Sequence, residues 1–207
     1  MIGTVIPAIV LAAGKSTRMG RPKANLPLEG GETFLSRIVR TFYAAAVDDV
    51  VVVVGHEAEA IVTAFSRTGA AARFVTNPEY DNGQLSSLLR GLNAVDRPGV
   101  IAALVTLVDV PLVHADTVRA VIDRYLQTHA PIVRPVRGHE HGHPVLIDRL
   151  LFDEIRSADP ALGAKLVVRA RASLRGDVHV DDDGAFLDVD TVDDYERVVR
   201  WRAPRNP

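Results

Sequence analysis

Ala8-Ile9-Val10-Leu11-Ala12-Ala13-Gly14-Lys15-Ser16-Thr17-Arg18-Met19-Gly20-Arg21-Pro22-Lys23 decides how this chain is read, because an unbroken apolar run gives way at once to a small-residue, cationic loop. The run from Ala8 to Ala12 has no polar alternation, as expected of a parallel strand covered on both faces. Small side chains at Ala12, Ala13 and Gly14 let the backbone approach a ligand closely. A loop leaving the carboxyl end of a parallel strand also offers amide donors to phosphate oxygens. Arg18 and Lys23 add two cations. A triphosphate needs such charge, since more negative charge develops on the leaving pyrophosphate.

Outward from that loop, further β-branched runs alternate with amphipathic stretches of helical length. Strands are expected at Val50 to Val54, Arg73 to Thr76 and Ile101 to Val108, all near-continuously apolar, and helices at Thr33 to Ala46, Glu57 to Ser66, Gln84 to Ala94 and Ala115 to Thr128. Beyond Pro131 the expected strands shorten: Ile132 to Val136, Pro144 to Ile147, Val178 to Val180 and Phe186 to Val189, around a helix near Leu162 to Ala172. A last helix spans Val192 to Trp201, capped by Asp190 or Thr191. The reading is an α/β fold, a Rossmann-like twisted, mostly parallel sheet with helices on both faces. One domain covers residues 1–207, with an NTP-binding half to about residue 130 and an acceptor-binding half after it.

Composition narrows the classes. The 207 residues are 47% hydrophobic, enough for one sizeable core, and 24 basic against 26 acidic residues are scattered without a charged tail, which disfavours nucleic acid and membrane surfaces. No apolar run nears the roughly 20 residues of a bilayer span, and no basic region precedes Val5 to Ala13, so the expectation is a cytoplasmic protein. The absence of cysteine excludes disulfides, thiolate catalysis and cysteine-bound metals.

Two familiar phosphate motifs fail. Gly14-Lys15-Ser16 copies the tail of a Walker A loop, but the required earlier glycine is Ile9, and no G-x-G-x-x-G occurs. His139-Glu140-His141-Gly142-His143 satisfies H-E-x-x-H and raises a zinc hydrolase as the alternative. Yet that motif works only on a helix, and Gly138, Gly142 and Pro144 argue against one. Thr106-Leu107-Val108-Asp109-Val110-Pro111 ends the fourth strand with a carboxylate on the edge that carries the first loop. Asp109 there either helps hold a magnesium ion at the phosphates or caps the turn before Pro111. Asn77-Pro78-Glu79-Tyr80-Asp81-Asn82-Gly83-Gln84-Leu85-Ser86-Ser87-Leu88 brings an amide and hydroxyls to a helix start, where they can read a base edge or cap the helix through Asn82 or Ser86.

L-A-A-G-x-S-x-R-M-G-x-x-K resembles the signature loop of the MobA/MocA-like nucleotidyltransferases, related to molybdenum cofactor guanylyl- and cytidylyltransferases. The resemblance extends in order along most of the chain. It implies a nucleotide wrapped by Leu11, Ala12, Ala13 and Gly14, with Arg18 and Lys23 on the phosphates as catalytic cations beside Asp109. Ala13 is nearer to the cytidylyl type, which favours CTP, with GTP next. Leu107, Asp109 and Pro111 match the family's L-x-D-x-P metal segment, and Asp188 to Asp194 is similar to D-I-D-T-P-E-D. Asp190 is therefore the implied second ligand for Mg²⁺ and Asp188 the next choice, although Val192 replaces the usual proline. The G-x-S-x-S-L similarity implies base contacts from Gly83, Gln84, Ser86 and Ser87. Gly142-His143-Pro144-Val145 and Gly163-Ala164-Lys165 resemble acceptor-side segments, implying contacts from His143 and Lys165. The activity implied is transfer of a nucleoside monophosphate to a phosphorylated small molecule, foremost a molybdopterin-type cofactor. A sugar phosphate or phosphoalcohol acceptor and a catalytically silent nucleotide-binding module remain open.

Overall fold

The structure, a computed structural model, describes residues 4–200. The opening apolar run is β1 (Ala8–Ala12), buried along its whole length. It lies between β2 (Val50–Val54) and β4 (Ala102–Leu107), both parallel to it, and β3 (Arg73–Thr76) extends the parallel set beyond β2. Ala8 faces Val50 on one side and Leu104 on the other. With neighbours on both edges and helices on both faces, β1 has no use for polar residues, which is why its sequence does not alternate. β3 departs from the expectation: Arg73 and Thr76 are exposed and Phe74 and Val75 half-buried, because it is the edge of the sheet.

The crossovers are α1 (Phe34–Ala44), α2 (Ala58–Ser66), α3 (Gln84–Val95) and α4 (Ala115–Thr128), each within two residues of its expected bounds. Val10, Val52 and Leu104 point to one face, against Ile38 and Phe42 of α1, Ile61 and Phe65 of α2 and Val121 of α4. Ile9, Val51 and Val53 point to the other, against Leu88 and Leu92 of α3.

The second half completes the same sheet with reversed direction. β7 (Val145–Asp148) pairs antiparallel with β4, and β5 (Ile132–Arg137) antiparallel with β7, so β5 again runs parallel to β4. β6 (Glu140–His141) turns back on β5 as a hairpin, and β8 (Asp177–His179) lines the far side of β5 in parallel. The strand order is therefore β3-β2-β1-β4-β7-β5-β6, with β8 on β5. A short α5 (Phe152–Arg156), not expected from the sequence, buries Phe152 and Ile155 on the α3 face. α6 (Lys165–Arg171) lies inside the expected range, and α7 (Val192–Arg200) reaches the end of the described residues, beyond which Trp201 lies.

One expectation is corrected. Phe186 to Val189 is not a strand; its backbone runs irregularly and gives the Val189 amide to Asp109 O at 2.8 Å. The histidine segment, as expected, is no helix, since a turn with Gly138 at φ 58° leads into β6, and a cis His143–Pro144 bond follows. This removes the H-E-x-x-H zinc site, whose histidines must share a helical face. Among the described residues no helix is long and apolar enough to cross a membrane.

Candidate functional site

The loop after β1 is shaped by Ser16, whose left-handed backbone (φ 50°) turns the chain while its hydroxyl accepts the Lys23 amide at 3.1 Å. The loop so closed sends Lys15 and Lys23 in different directions. Lys15 Nζ is outside, 2.8 Å from exposed Asp81, so the Walker-like Gly14-Lys15-Ser16 does not supply the phosphate lysine. Lys23 points inward between the ends of β4 and the segment before α7: its ammonium is 3.1 Å from Asp109 Oδ2 and 2.7 Å from Asp190 Oδ1. Arg18 Nη2 stands 3.4 Å from Asp190 Oδ2.

These groups converge on one cavity of about 360 Å³ at the carboxyl edge of the parallel strands. One end is lined by Gly14, Ser16, Thr17, Arg18 and Lys23, and a side chain at Gly14 would meet no protein atom within 4 Å. That open space suits a ligand lying against the backbone. Asp109 and Asp190 lie at the same end, Asp109 3.1 Å from Lys23 and Asp190 2.7 Å from Lys23 and 3.4 Å from Arg18, and Tyr80, Gly83, Gln84, Ser87, Leu11 and Ala13 are also in the lining. Ala12 instead faces the core.

The wall near α3 depends on residues the sequence reading did not single out. Asn77, fully buried, donates through Nδ2 to Ser86 Oγ at 2.8 Å and Ser87 Oγ at 3.0 Å and accepts the Glu79 amide at 3.0 Å. Ser86 is thereby turned away from the cavity, its hydroxyl 2.8 Å from Gly83 O and 2.9 Å from Glu79 O. Tyr80 packs on Gly55, where a Cβ would come 2.7 Å from Tyr80 Cβ and 2.9 Å from Ala13 O. The absence of a side chain at Gly55 is what lets the aromatic ring stand beside the loop; a glycine following the valine run of β2 was the available signal.

Two of the carboxylates are shifted in opposite directions. The hydrogen bond from Lys23, reinforced by Arg18, holds the Asp190 carboxyl below its ordinary range. Burial, then the neighbouring charges of Asp109 and Asp190, pushes Asp188 up, with His143 and Lys23 opposing. Asp190 is thus the better anionic ligand, and Asp188 does not line the cavity. Asp109 Oδ1 is buried and receives no hydrogen bond, so this oxygen is left for a ligand other than Lys23. Among the described residues no three His, Cys, Asp or Glu side chains form a metal cage of their own. Magnesium fits such a place, since it takes one or two carboxylates and draws other ligands from phosphate and water.

His143, expected at the acceptor, does not line the cavity. Burial lowers its pKa, while the Val105 backbone, Asp188 and Asp109 pull it back up. Its Nδ1 is buried without a partner. Lys165 begins α6 away from the cavity. Thr191 caps α7: its hydroxyl accepts the Asp194 amide at 3.2 Å, and its own amide donates to Asp194 Oδ2 at 3.0 Å, which leaves the Asp190 carboxylate to Lys23 and Arg18.

Comparison with known proteins agrees with this geometry. The family model described as MobA-like NTP transferase domain matches residues 8–176. Nicotine blue oxidoreductase of Paenarthrobacter nicotinovorans is 30% identical over 205 residues, covering 94% of this chain and 96% of that protein. A probable molybdenum cofactor guanylyltransferase of Mycobacterium bovis is 33% identical over 141 residues, covering 66% of this chain and 64% of its own length. The crystal structure of Rv0371c from Mycobacterium tuberculosis H37Rv superposes with a TM-score of 0.78 at 32% identity, covering 96% of this chain and 100% of that one, and Rv0371c has also been solved in complex with manganese. The family model spans β1 to β7, the cationic loop and Asp109, and on that ground the chain belongs to the MobA-like NTP transferase domains and is a nucleotidyltransferase by family.

Proposed function

We propose that this protein transfers a nucleoside monophosphate from CTP or GTP to a phosphorylated small molecule, foremost a molybdopterin-type acceptor, and releases pyrophosphate. The observation that carries the reading is the meeting of Arg18, Lys23, Asp109 and Asp190 in one cavity beside an open glycine-bearing loop. An acceptor phosphate oxygen attacks the α-phosphorus in line. The new P–O bond forms as the bond to the bridging oxygen breaks, and that oxygen leaves on pyrophosphate. Arg18 and Lys23 offset the charge gathering on the leaving group, a kind of stabilisation worth about a hundredfold or more in rate for a single donor. Asp109 and Asp190 would hold the divalent cation, which when bound supplies further positive charge against the phosphate oxygens. Manganese in Rv0371c supports a divalent metal, with Mg²⁺ as the physiological choice.

Two observations bear on the base. Ala13, in place of a second glycine, supports CTP, and the guanylyltransferase name of the mycobacterial relative supports GTP. The halves divide the work: the first 130 residues take the nucleotide, and the remainder supplies Asp190 and takes the acceptor.

The test is thermal melting of the protein with CTP, GTP, ATP and UTP, each with Mg²⁺, since a ligand at a hundred times its Kd adds about 2.7 kcal/mol. A shift with CTP or GTP, lost in Arg18→Ala and Asp109→Ala, is the expected result, and pyrophosphate release with an acceptor separates an enzyme from a silent binding module. No shift with any of the four nucleotides would overturn the transfer reading.

A further inference from the structure

The stretch between β8 and α7 carries both Asp188 and Asp190, yet it belongs to no strand, so something other than a ladder must hold it. Asp182 does. Its carboxylate is only 4% exposed, and it accepts three hydrogen bonds: from the His114 amide at 2.9 Å, the Thr117 hydroxyl at 2.6 Å and the Gly184 amide at 3.0 Å. The first two belong to the start of α4, whose own cap residue His114 supplies no side-chain bond. The helix is capped instead by a residue from the far end of the chain.

From that anchor the segment is fastened along the loop after β4. A Cβ at Gly184 would lie 2.0 Å from Leu112 O, so only glycine permits the approach. Ala185 O accepts the His143 amide at 2.8 Å, and the Val189 amide donates to Asp109 O at 2.8 Å. Asp188 and Asp190 flank Val189, which is thus bound to the backbone of the other candidate ligand.

We propose that Asp182 is a positioning residue for the metal site: by clamping residues 182–189 onto the loop 109–114 it sets the separation of the Asp190 and Asp109 carboxylates. The proposal rests on the reading that these two share a divalent cation. A residue that only stabilised α4 would lower the melting temperature and leave metal affinity in the folded protein unchanged; a positioning residue weakens the metal and is compensated by more of it.

The experiment is Mn²⁺ titration of the full chain, with free Mn²⁺ read by electron paramagnetic resonance, on wild type, Asp182→Asn, Gly184→Ala, Asp109→Asn and Thr33→Ala, all at a temperature where each is folded. Gly184→Ala displaces the same segment with the Asp182 carboxylate intact, so the question stays answerable if Asp182→Asn does not fold. Thr33→Ala removes a helix cap of similar kind on α1. The expected result is a Kd for Mn²⁺ at least tenfold weaker in Asp182→Asn and Gly184→Ala and unchanged in Thr33→Ala. Turnover of the two weakened variants should recover at saturating Mn²⁺, with KM for the nucleotide within threefold of wild type. Wild-type Mn²⁺ affinity in both segment variants overturns the positioning role while Asp109→Asn still weakens binding. If Asp109→Asn also binds Mn²⁺ as wild type does, the shared-cation reading itself falls and this one with it.

Discussion

Lys23 answers to two carboxylates at once. Its ammonium bridges Asp109 and Asp190, and its side chain is only 11% exposed, so the two carboxylates stand close together with a tethered cation between them. Lys23→Met keeps most of the stem and removes the charge. Turnover should then fall at least about a hundredfold. The melting temperature should also drop, and Mn²⁺ should raise it more than in wild type, because carboxylate repulsion is no longer offset. Steady-state pyrophosphate release and melting curves with and without Mn²⁺ check both, and wild-type turnover would sink the assignment. Gly55→Ala makes a different demand: the new methyl meets Tyr80 and Ala13 O, and overpacking of this kind costs about 1 to 3 kcal/mol. Urea unfolding should register that loss, and nucleotide affinity should weaken with it as Tyr80 is displaced; an unchanged Kd would remove Tyr80 from the binding wall. Arg18, Lys23 and Asp109 could be found in the sequence because they follow strand ends, where position along the chain dictates position in the cleft. Asp182 could not, since within Asp181-Asp182-Asp183 it looks like any solvated acidic turn and only the packed fold buries it.

Among the elements, those with a strong period were legible nearly to the residue, and those held by tertiary contacts were not. β1, β2 and β3 run over the expected residues, because each is a short β-branched or apolar run bounded by turn residues. Strand direction was not legible: an apolar run reads alike both ways, so the antiparallel β7 between β4 and β5 came only with the structure. Phe186-Leu187-Asp188-Val189 shows apolar residues at strand spacing, yet its hydrogen bonds go to a loop instead of a ladder. α1 is the clearest case of local specification. Thr33 Oγ1 accepts the Ser36 amide at 3.2 Å, while Ser36 Oγ accepts the Thr33 amide at 2.8 Å. Thr33→Ala should cost about 1 kcal/mol, lowering the melting temperature by about 2 to 4 °C in a chain of this size. A calorimetric scan without that shift would show that tertiary packing alone fixes the helix start.

Across the whole molecule, charge is organised by edge. At the edge opposite the cavity, Asp49 accepts from Arg73 at 2.8 Å and Arg97 at 2.7 Å, and Asp96 accepts from Arg149 at 2.8 Å and Arg156 at 2.7 Å. Burial alone would raise the Asp49 carboxyl, but the bonds and charge of its two arginines carry it below the ordinary range, and Arg156, with Arg149, does the same for Asp96. A carboxyl depressed in the folded state binds fewer protons there than in the unfolded chain. Its stabilisation is therefore present above the unfolded pKa of about 4 and lost as pH falls through the folded value. Asp49→Asn should reduce stability at pH 7 by roughly 1 to 3 kcal/mol and flatten the decline between pH 5 and the acid limit. Urea titrations at a series of pH values test this, and an acid limb as steep as that of wild type would move the sensitivity elsewhere. The same arrangement has an evolutionary consequence. With β2 and β3 tied at their amino-terminal ends through Asp49 and Arg73, the loop after β3 that lines the cavity can be exchanged without loosening the frame. A new base can then be acquired by rewriting that surface loop, leaving the clamps and the sheet as they are.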